Sequence, residues 1–251
     1  MKKTTTILCL GIALCMLGCS DDDDQVTTTS TVPFSLTASL SPRSSDAEDT
    51  GILQGNWNAN SQLAVMKTGS SGVPKTILTR ETDSSDTFTG DLSTLVKNEN
   101  EIAVFYPAAA ITATSSDTLT QTLNLSGQDG TLAGITNYDY LWAQCKAGMN
   151  ETTGSSACEM TSLVTIGKFQ FTVNGGSPLN NITRITVTAT AGNLYSSAVM
   201  KLKDGEFSST QTGNITIKNK TGISGTTYIS FFPSEAQLHF TLVTTTGEVY
   251  E

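Results

Sequence analysis

The sequence predicts an all-β protein made of β-sandwiches, and three observations predict it. Short apolar segments recur along the chain, bounded by Gly, Asn, Asp or Pro. Before Cys145, only one short window has helical periodicity. Charged residues make up 15% of the chain, against about 25% in ordinary globular proteins, and Thr, Ser, Asn and Gly replace them. Regular short strands without long helices favour sandwiches over a parallel α/β sheet.

The N-terminus has the residue order of a secretory signal. Two lysines precede an apolar run from Ile7 to Leu17, and Gly18 and Cys19 follow. The run is shorter than the roughly 20 residues that a membrane-spanning helix needs. We therefore predict that residues 1–18 are removed on export.

Cys19 ends the tetrapeptide Met16-Leu17-Gly18-Cys19, which has the form of a lipobox with methionine at its first position. In a lipobox the cysteine thiol receives a diacylglyceryl group, and more than one acyl chain gives stable membrane anchoring. The alternative is an ordinary signal peptide with an incidental cysteine. The apolar run before Cys19 favours the lipoprotein, so we predict a lipid anchor at Cys19.

An acidic block, Ser20-Asp21-Asp22-Asp23-Asp24, lies in a tether that we place at residues 19–31. A block of like charges is too polar to pack in a core, and the simplest interpretation is a solvated tether. The block also resembles the acidic export signal of surface lipoproteins in Bacteroidales, which implies exposure on the outer membrane.

The formal charge of the whole chain is −9, so we expect no nucleic-acid partner.

The clearest strand spans Val32 to Leu40, where every second residue is apolar. Pro33 cannot donate to a ladder, so this strand should lie at a sheet edge or begin near the proline. Asp91 to Asn98 has a short apolar stripe at helical spacing, which predicts one or two helical turns. Further strands are predicted at 63–66, 76–79, 102–106, 119–125, 164–173, 182–189, 197–202, 214–218, 227–232 and 238–244.

A loop rich in Gly, Asn, Thr and Ser is predicted from Gly148 to Ser156. We place a domain boundary near residue 160, which gives an N-terminal sandwich at 32–160 and a C-terminal sandwich at 161–251. Residues 248–251 begin a returning strand that has no end in this sequence. The second sandwich is therefore incomplete if the sequence is a fragment.

Two cysteines, Cys145 and Cys158, lie outside the signal and the lipidated position. In an oxidising compartment they could form a disulfide, which would close a short loop and add ~3 kcal/mol of stability. Two unrelated buried thiols are an equal alternative. With the single histidine, His239, the cysteines form no recognisable zinc spacing, and we predict no metal or other cofactor.

Tyr138, Tyr140 and Trp142 would project from one face if they lay on a strand. Such a row can form a platform for a carbohydrate or a protein. It can also simply cover the core, which is the commoner use of large aromatic side chains. The sequence contains no nucleophile elbow, no phosphate-binding glycine loop and no His-Glu-x-x-His motif, so we expect no enzymatic activity and no catalytic residues.

Several short motifs together resemble the fimbrillin, or Mfa-like, family of surface lipoproteins. They are the lipobox Cys19, the early strand followed by Arg43, Trp57 shortly before the strand Leu63-Ala64-Val65-Met66, the strand end Val104-Phe105-Tyr106-Pro107, and Gln128-Asp129-Gly130-Thr131-Leu132 leading to Tyr138-Asp139-Tyr140-Leu141-Trp142-Ala143. The resemblance implies two tandem transthyretin-like Greek-key β-sandwich domains. It also implies a structural or accessory subunit of a surface pilus, or fimbria, that mediates adhesion.

In that family, an arginine-specific protease removes the segment that holds the first strand, and a strand from a neighbouring subunit fills the groove. The physical basis is β-augmentation, because a missing strand leaves unpaired backbone donors and apolar pockets. The resemblance places the removed strand at Val32 to Leu40 and the cleaved bond after Arg43. Pro42 replaces the threonine that often precedes this arginine, and the alternative is an uncut arginine in a solvated linker.

The second functional hypothesis is a monomeric surface lipoprotein that binds a glycan or a host protein. Buried aromatic residues beside a removable first strand would favour the pilus subunit, whereas an exposed aromatic cleft would favour the monomeric binder. The expected partners are other pilus subunits, the outer membrane through the lipid anchor, and a host protein or glycan. The expected location is the outer-membrane surface or the fimbria.

Overall fold

The computed structural model describes residues 30–41, 54–69, 73–112, 120–173 and 176–251. Within these ranges the chain is almost entirely β, which confirms the predicted all-β sandwich class, and no helix is long and apolar enough to cross a membrane. A short helix, α1, spans Leu132–Ile135, and a 3₁₀ turn spans Ala108–Ala110. The strands are β1 Thr31–Leu40, β2 Gln62–Lys67, β3 Thr76–Arg80, β4 Thr87–Ser93, β5 Glu101–Tyr106, β6 Thr120–Asn124, β7 Leu141–Lys146, β8 Gly148–Met149, β9 Gly154–Ser162, β10 Thr165–Gln170, β11 Ile182–Ala191, β12 Tyr195–Lys201, β13 Phe207–Thr212, β14 Ile215–Ile223, β15 Thr226–Phe231, β16 Gln237–Thr244 and β17 Val249–Tyr250.

The N-terminal half forms one sheet that closes on itself. Its strand order is β1-β4-β3-β2-β5-β7-β9-β8, and β9 also pairs with β1. The β1–β9 pair is parallel, whereas the other pairs of this sheet are antiparallel. We call the closed arrangement β1-β4-β3-β2-β5-β7-β9 the ring. Strand β1 begins this strand order and also pairs with β9, which closes the ring.

The C-terminal half contains smaller sheets, with strand orders β14-β11-β16-β17, β13-β12-β6 and β10-β15. Strand β6 precedes residue 160 in the sequence, yet it pairs with β12, where Leu123 stands opposite Ala198. The core of this half therefore includes residues from both sides of position 160.

Strands β2 and β5 are buried on both faces. In β2, Leu63 and Val65 belong to the core inside the ring, while Ala64 and Met66 belong to the core of the C-terminal half. Successive side chains of β5 also alternate between the two cores. A strand that is covered on both sides need not alternate apolar with polar residues, which explains the unbroken apolar run of β2.

The predicted helical turns at Asp91 to Asn98 are wrong. Strand β4 continues to Ser93, with Leu92 buried, and a turn follows. Because residues 91–93 pair with β1, the sheet takes up their backbone groups and overrides the local helical pattern. The predicted loop from Gly148 to Ser156 likewise contains β8 and the start of β9.

Strand β1 is not an edge strand, so the first of the two alternatives drawn from Pro33 is wrong, while the second, a strand that begins near the proline, is confirmed. It has β4 on one side and β9 on the other. Pairing with β4 begins at Thr31, but pairing with β9 begins only at Phe34. The proline therefore lies just before the parallel ladder starts, where a missing N–H group is tolerated.

Candidate site: the groove of the first strand

Strand β1 buries one face and exposes the other. Val32, Phe34, Leu36 and Ala38 point inward and are 9%, 2%, 0% and 0% exposed. The residues between them are exposed or half-exposed. Full burial of a side chain such as Phe34 or Leu36 is worth about 1.5–3 kcal/mol. Apolar burial therefore holds β1 in its groove in addition to backbone pairing.

Phe34 lies between two glycines. Its cross-strand partners are Gly90 on β4 and Gly154 on β9. A Cβ atom at Gly154 would come within 2.7 Å of the Phe34 ring and would collide with the sulfur of Met149. The aromatic ring occupies the space that a side chain at position 154 would need, so this part of the groove fits a large residue on the inserted strand.

Trp57 links β1 to the rest of the ring core. Its Nε1 donates to the carbonyl oxygen of Ala38 at 2.6 Å. Its ring meets Phe88 and Tyr106 edge-on, with centroids 5.0 and 5.3 Å away. The guanidinium of Arg80 donates to the Trp57 carbonyl at 2.7 Å, which positions the Trp57 backbone. Trp57 therefore provides a buried contact with β1 that does not belong to the sheet ladder.

After β1, the described chain continues to Ser41, whose hydroxyl donates to the Glu159 carboxylate at 2.7 Å. The predicted cleavage site at Arg43 lies outside the described residues, as does the predicted lipidation site at Cys19. Lipidation and cleavage at these positions therefore stay predictions.

Cys145 and Cys158 lie on neighbouring strands, β7 and β9, with both thiols free and half-buried against the ring core. A hydrogen bond from the Cys158 thiol lowers the pKa of Cys145 to about 7, and the same interaction raises the pKa of Cys158. The disulfide stays a prediction. In the part of the chain that the structure describes, no three His, Cys, Asp or Glu residues are grouped to hold a metal ion.

The three predicted platform aromatics pack against the core of the C-terminal half. Tyr140 is 5% exposed and donates to the carbonyl of Asn124 at 2.7 Å, and burial raises its pKa to about 12. Trp142 is half-buried and donates from Nε1 to the carbonyl of Leu202 at 3.2 Å. Of the three, only Trp142 lies within a strand, since Tyr138 and Tyr140 precede β7.

An aromatic cleft that the sequence did not predict lies on the C-terminal half. Its volume is about 630 Å³, and its lining includes Phe171, Val173, Phe240 and Tyr250. The rings of Phe171 and Phe240 are 5.5 Å apart. The lining comes from β16, β17 and the segment after β10, and the strands predicted at 164–173 and 238–244 contain part of it.

Solved structures share the fold of this chain. A proposed cell adhesion protein from Bacteroides ovatus matches with a TM-score of 0.56 and 15% identity, over 88% of this chain and 85% of that one. A proposed cell adhesion protein from Bacteroides uniformis matches with a TM-score of 0.52 and 13% identity, over 89% and 84%. No family model matches the sequence, and no curated protein matches it significantly. At these identities the likeness establishes a common fold.

Proposed function

We propose that this protein is a lipid-anchored adhesion subunit of a surface pilus, and that its first strand is exchanged for a strand of another subunit. The observation that carries the proposal is the position of β1, which closes the ring between β4 and β9 with its apolar face buried. Without β1, both neighbours would present unpaired backbone groups beside an apolar groove. A strand from another subunit would satisfy both. The adhesion role proposed for the two structural neighbours agrees with this function.

The position of Arg43 supports proteolytic release of β1. Arg43 follows the end of β1 at Leu40 by three residues, and β2 begins only at Gln62. Cleavage after Arg43 would therefore separate β1 from the rest of the chain and leave every strand that the structure describes intact. The other two arginines of the sequence, Arg80 and Arg184, lie in the paired strands β3 and β11, where a protease has poor access to the backbone.

In this proposal, Cys19 carries the lipid and holds the precursor on the outer membrane. Cleavage after Arg43 would remove the lipid anchor and β1 in one segment. The released subunit would then be held by a neighbouring subunit. The role is structural, and we assign it no catalytic step and no cofactor.

Limited digestion with an arginine-specific protease tests the proposal. We expect a cut after Arg43, followed by loss of the N-terminal segment and by growth of oligomers in size-exclusion chromatography. A synthetic peptide with the sequence of residues 31–41 should bind the cut protein and block this growth. Arg43→Lys keeps the charge but resists the protease, so it should stay intact and monomeric.

Two results would refute strand exchange. One is a protein that is not cut after Arg43 under native conditions. The other is a cut protein that keeps its N-terminal segment and stays monomeric even at high concentration. Mass spectrometry of the size-exclusion fractions distinguishes these results from release and assembly.

The aromatic cleft favours a second function, a monomeric surface protein that binds a glycan or a host protein. Aromatic faces in a cleft can stack on sugar rings or receive an apolar side chain. Titration of soluble glycans, followed by tyrosine and tryptophan fluorescence, tests this function. Tyr250→Ala should weaken binding and leave cleavage after Arg43 unchanged. If no glycan or host surface protein binds the intact monomer, this second function is wrong.

A further inference from the structure

Cys145 and Cys158 stand directly opposite each other on antiparallel strands. Strand β7 pairs with β9 through Trp142 and Thr161, and three residues further along each strand lie the two cysteines. The pairs between β8 and β9 keep the same register. Opposite residues of an antiparallel pair have Cα atoms about 4.5–5.5 Å apart, and cysteines joined by a disulfide are usually about 4.4–6.8 Å apart. The shared register at both ends and the hydrogen bond between the two thiols therefore bring the two sulfur atoms close enough to be joined.

The backbone pairs between the chain segment that contains β7 and β8 and strand β9 lie at the two ends of the paired region. Within residues 141–162, all of which the structure describes, the pairs join 141–142 to 161–162 and 148–149 to 154–155. Between them, the hydroxyl of Ser156 donates to the carbonyl of Lys146 at 2.7 Å and lies 3.2 Å from the sulfur of Cys145. Between the two sets of backbone pairs, the Ser156 side chain therefore connects β9 to β7.

The two thiols also differ in pKa, so that one can attack as a thiolate while the other stays protonated. The hydrogen bond from Cys158 lowers the pKa of Cys145 to about 7, so a reactive thiolate forms near neutral pH. The pKa of Cys158 is raised, so its thiol keeps the proton until Cys145 has reacted. Cys145 is thus the attacking group, and Cys158 is the resolving group.

We propose that Cys145 and Cys158 form a disulfide that cross-links β7 to β9 between the two sets of backbone pairs. The oxidant is a second disulfide, either a small molecule or a thiol–disulfide oxidoreductase. The Cys145 thiolate attacks one oxidant sulfur, which forms a mixed disulfide and releases one thiolate. Cys158 then loses its proton and attacks the Cys145 sulfur, which releases the second thiolate. Two protein thiols are oxidised, and one oxidant disulfide is reduced to two thiols.

The cross-link has a consequence for β1, and this consequence rests on the proposed function. Strand β9 is one of the two neighbours of β1, and Cys158 stands beside Ala38 in the parallel register. When β1 leaves, β9 keeps only β7 and β8 as neighbours. A covalent bond at Cys158 would hold β9 in place, so the empty groove would keep the register that an incoming strand needs.

Oxidation of the folded full chain with oxidised glutathione tests the disulfide. Trypsin cuts after Lys146, between the two cysteines, so the disulfide would join two tryptic peptides that separate on reduction. The other cysteines precede residue 20 and fall in a different peptide. We expect the joined pair as the main oxidised species and a thermal midpoint about 5–10 °C higher than that of the reduced protein. The matched control Cys158→Ser should give neither the joined pair nor this rise.

Persistence of both thiols, or a stable glutathione adduct on Cys145 without the joined peptides, would overturn the disulfide. Hydrogen exchange of the β9 amides then tests the cross-linking role. In the intact protein, oxidation should slow this exchange about tenfold or more, and equal rates in the two redox states would overturn the role.

The disulfide and strand exchange can fail independently, and the two experiments distinguish the cases. If the disulfide forms and slows exchange in β9 but β1 stays bound after cleavage at Arg43, the cross-link stands and strand exchange fails. If β1 is released but the joined peptides never form, strand exchange stands and the cross-link fails.

Discussion

The indole N–H of Trp57 donates to the carbonyl oxygen of Ala38 at 2.6 Å, inside the core of the ring. This bond connects the first strand to a side chain that belongs to no strand. Because both groups are buried, departure of the strand would leave the indole donor without this partner. The contact couples the position of β1 to the aromatic packing around Trp57.

Trp57→Phe should destabilise the protein by about 1–3 kcal/mol, because the Ala38 carbonyl loses a buried donor. Exchange of the β1 amides with solvent should become faster. Urea unfolding measures the first effect, and hydrogen exchange measures the second. Trp142→Phe is the control, since its indole bonds to Leu202 in the C-terminal half. If both variants change β1 exchange equally, the Trp57 bond has no special role.

Gly154→Ala should destabilise the protein by about 1–3 kcal/mol, because the new methyl group would press against the Met149 sulfur and the Phe34 ring. Chemical unfolding measures this cost. The matched test is a double-mutant cycle with Phe34→Leu, whose smaller side chain should relieve the part of the clash that the Phe34 ring causes, while the contact with the Met149 sulfur remains. A cost for Gly154→Ala that stays unchanged in the Phe34→Leu background would contradict the proposed fit between the two residues.

Leu36→Ala should cost about 2–5 kcal/mol, since Leu36 is 0% exposed in the core of the ring. Thr37→Ala, on the outer face of the same strand, should change the free energy of unfolding by about 0.5 kcal/mol or less. In the strand-exchange assay, a β1 peptide with Leu36→Ala should compete more weakly than the unchanged peptide. Equal competition would show that the apolar face does not direct insertion.

Stability should fall as the pH rises from 10 to 12. Burial raises the pKa of Tyr106 and of Tyr140 to about 12, against about 10 in the unfolded chain. Their contribution is therefore fully present below pH 10 and is lost as the pH approaches 12, at about 2–3 kcal/mol for each residue. Urea unfolding between pH 9 and pH 11 measures the loss, and Tyr106→Phe should make it smaller by the Tyr106 contribution. A free energy of unfolding that stays constant to pH 11 would contradict the prediction.

Local alternation predicted the first strand and its inward face correctly. Of the apolar members of the pattern, Val32, Phe34, Leu36 and Ala38 are buried, and Leu40 is half-buried against the ring core. A period of two is a property of neighbouring residues, so the sequence alone reveals it. The helical prediction for Asp91 to Asn98 was wrong because its apolar spacing is equally local, while strand β1, which pairs with residues 91–93, is distant in the chain.

The aromatic residues show the same limit. The sequence singled out Tyr138, Tyr140 and Trp142 because they are adjacent, and all three pack against a core. The cleft is instead lined by Phe171, Phe240 and other residues from separate segments. No single stretch of sequence contains that set, so no local pattern could predict the cleft.

By itself, the sequence determined the all-β class, most of the strands and the face that β1 buries, because these follow from the spacing of apolar residues along the chain. Only the tertiary structure decided that β1 closes a ring beside β9, that Phe34 lies between two glycines and that Cys145 stands opposite Cys158. Strand order and register depend on which apolar faces meet across the core. Those contacts join residues that are far apart in the sequence.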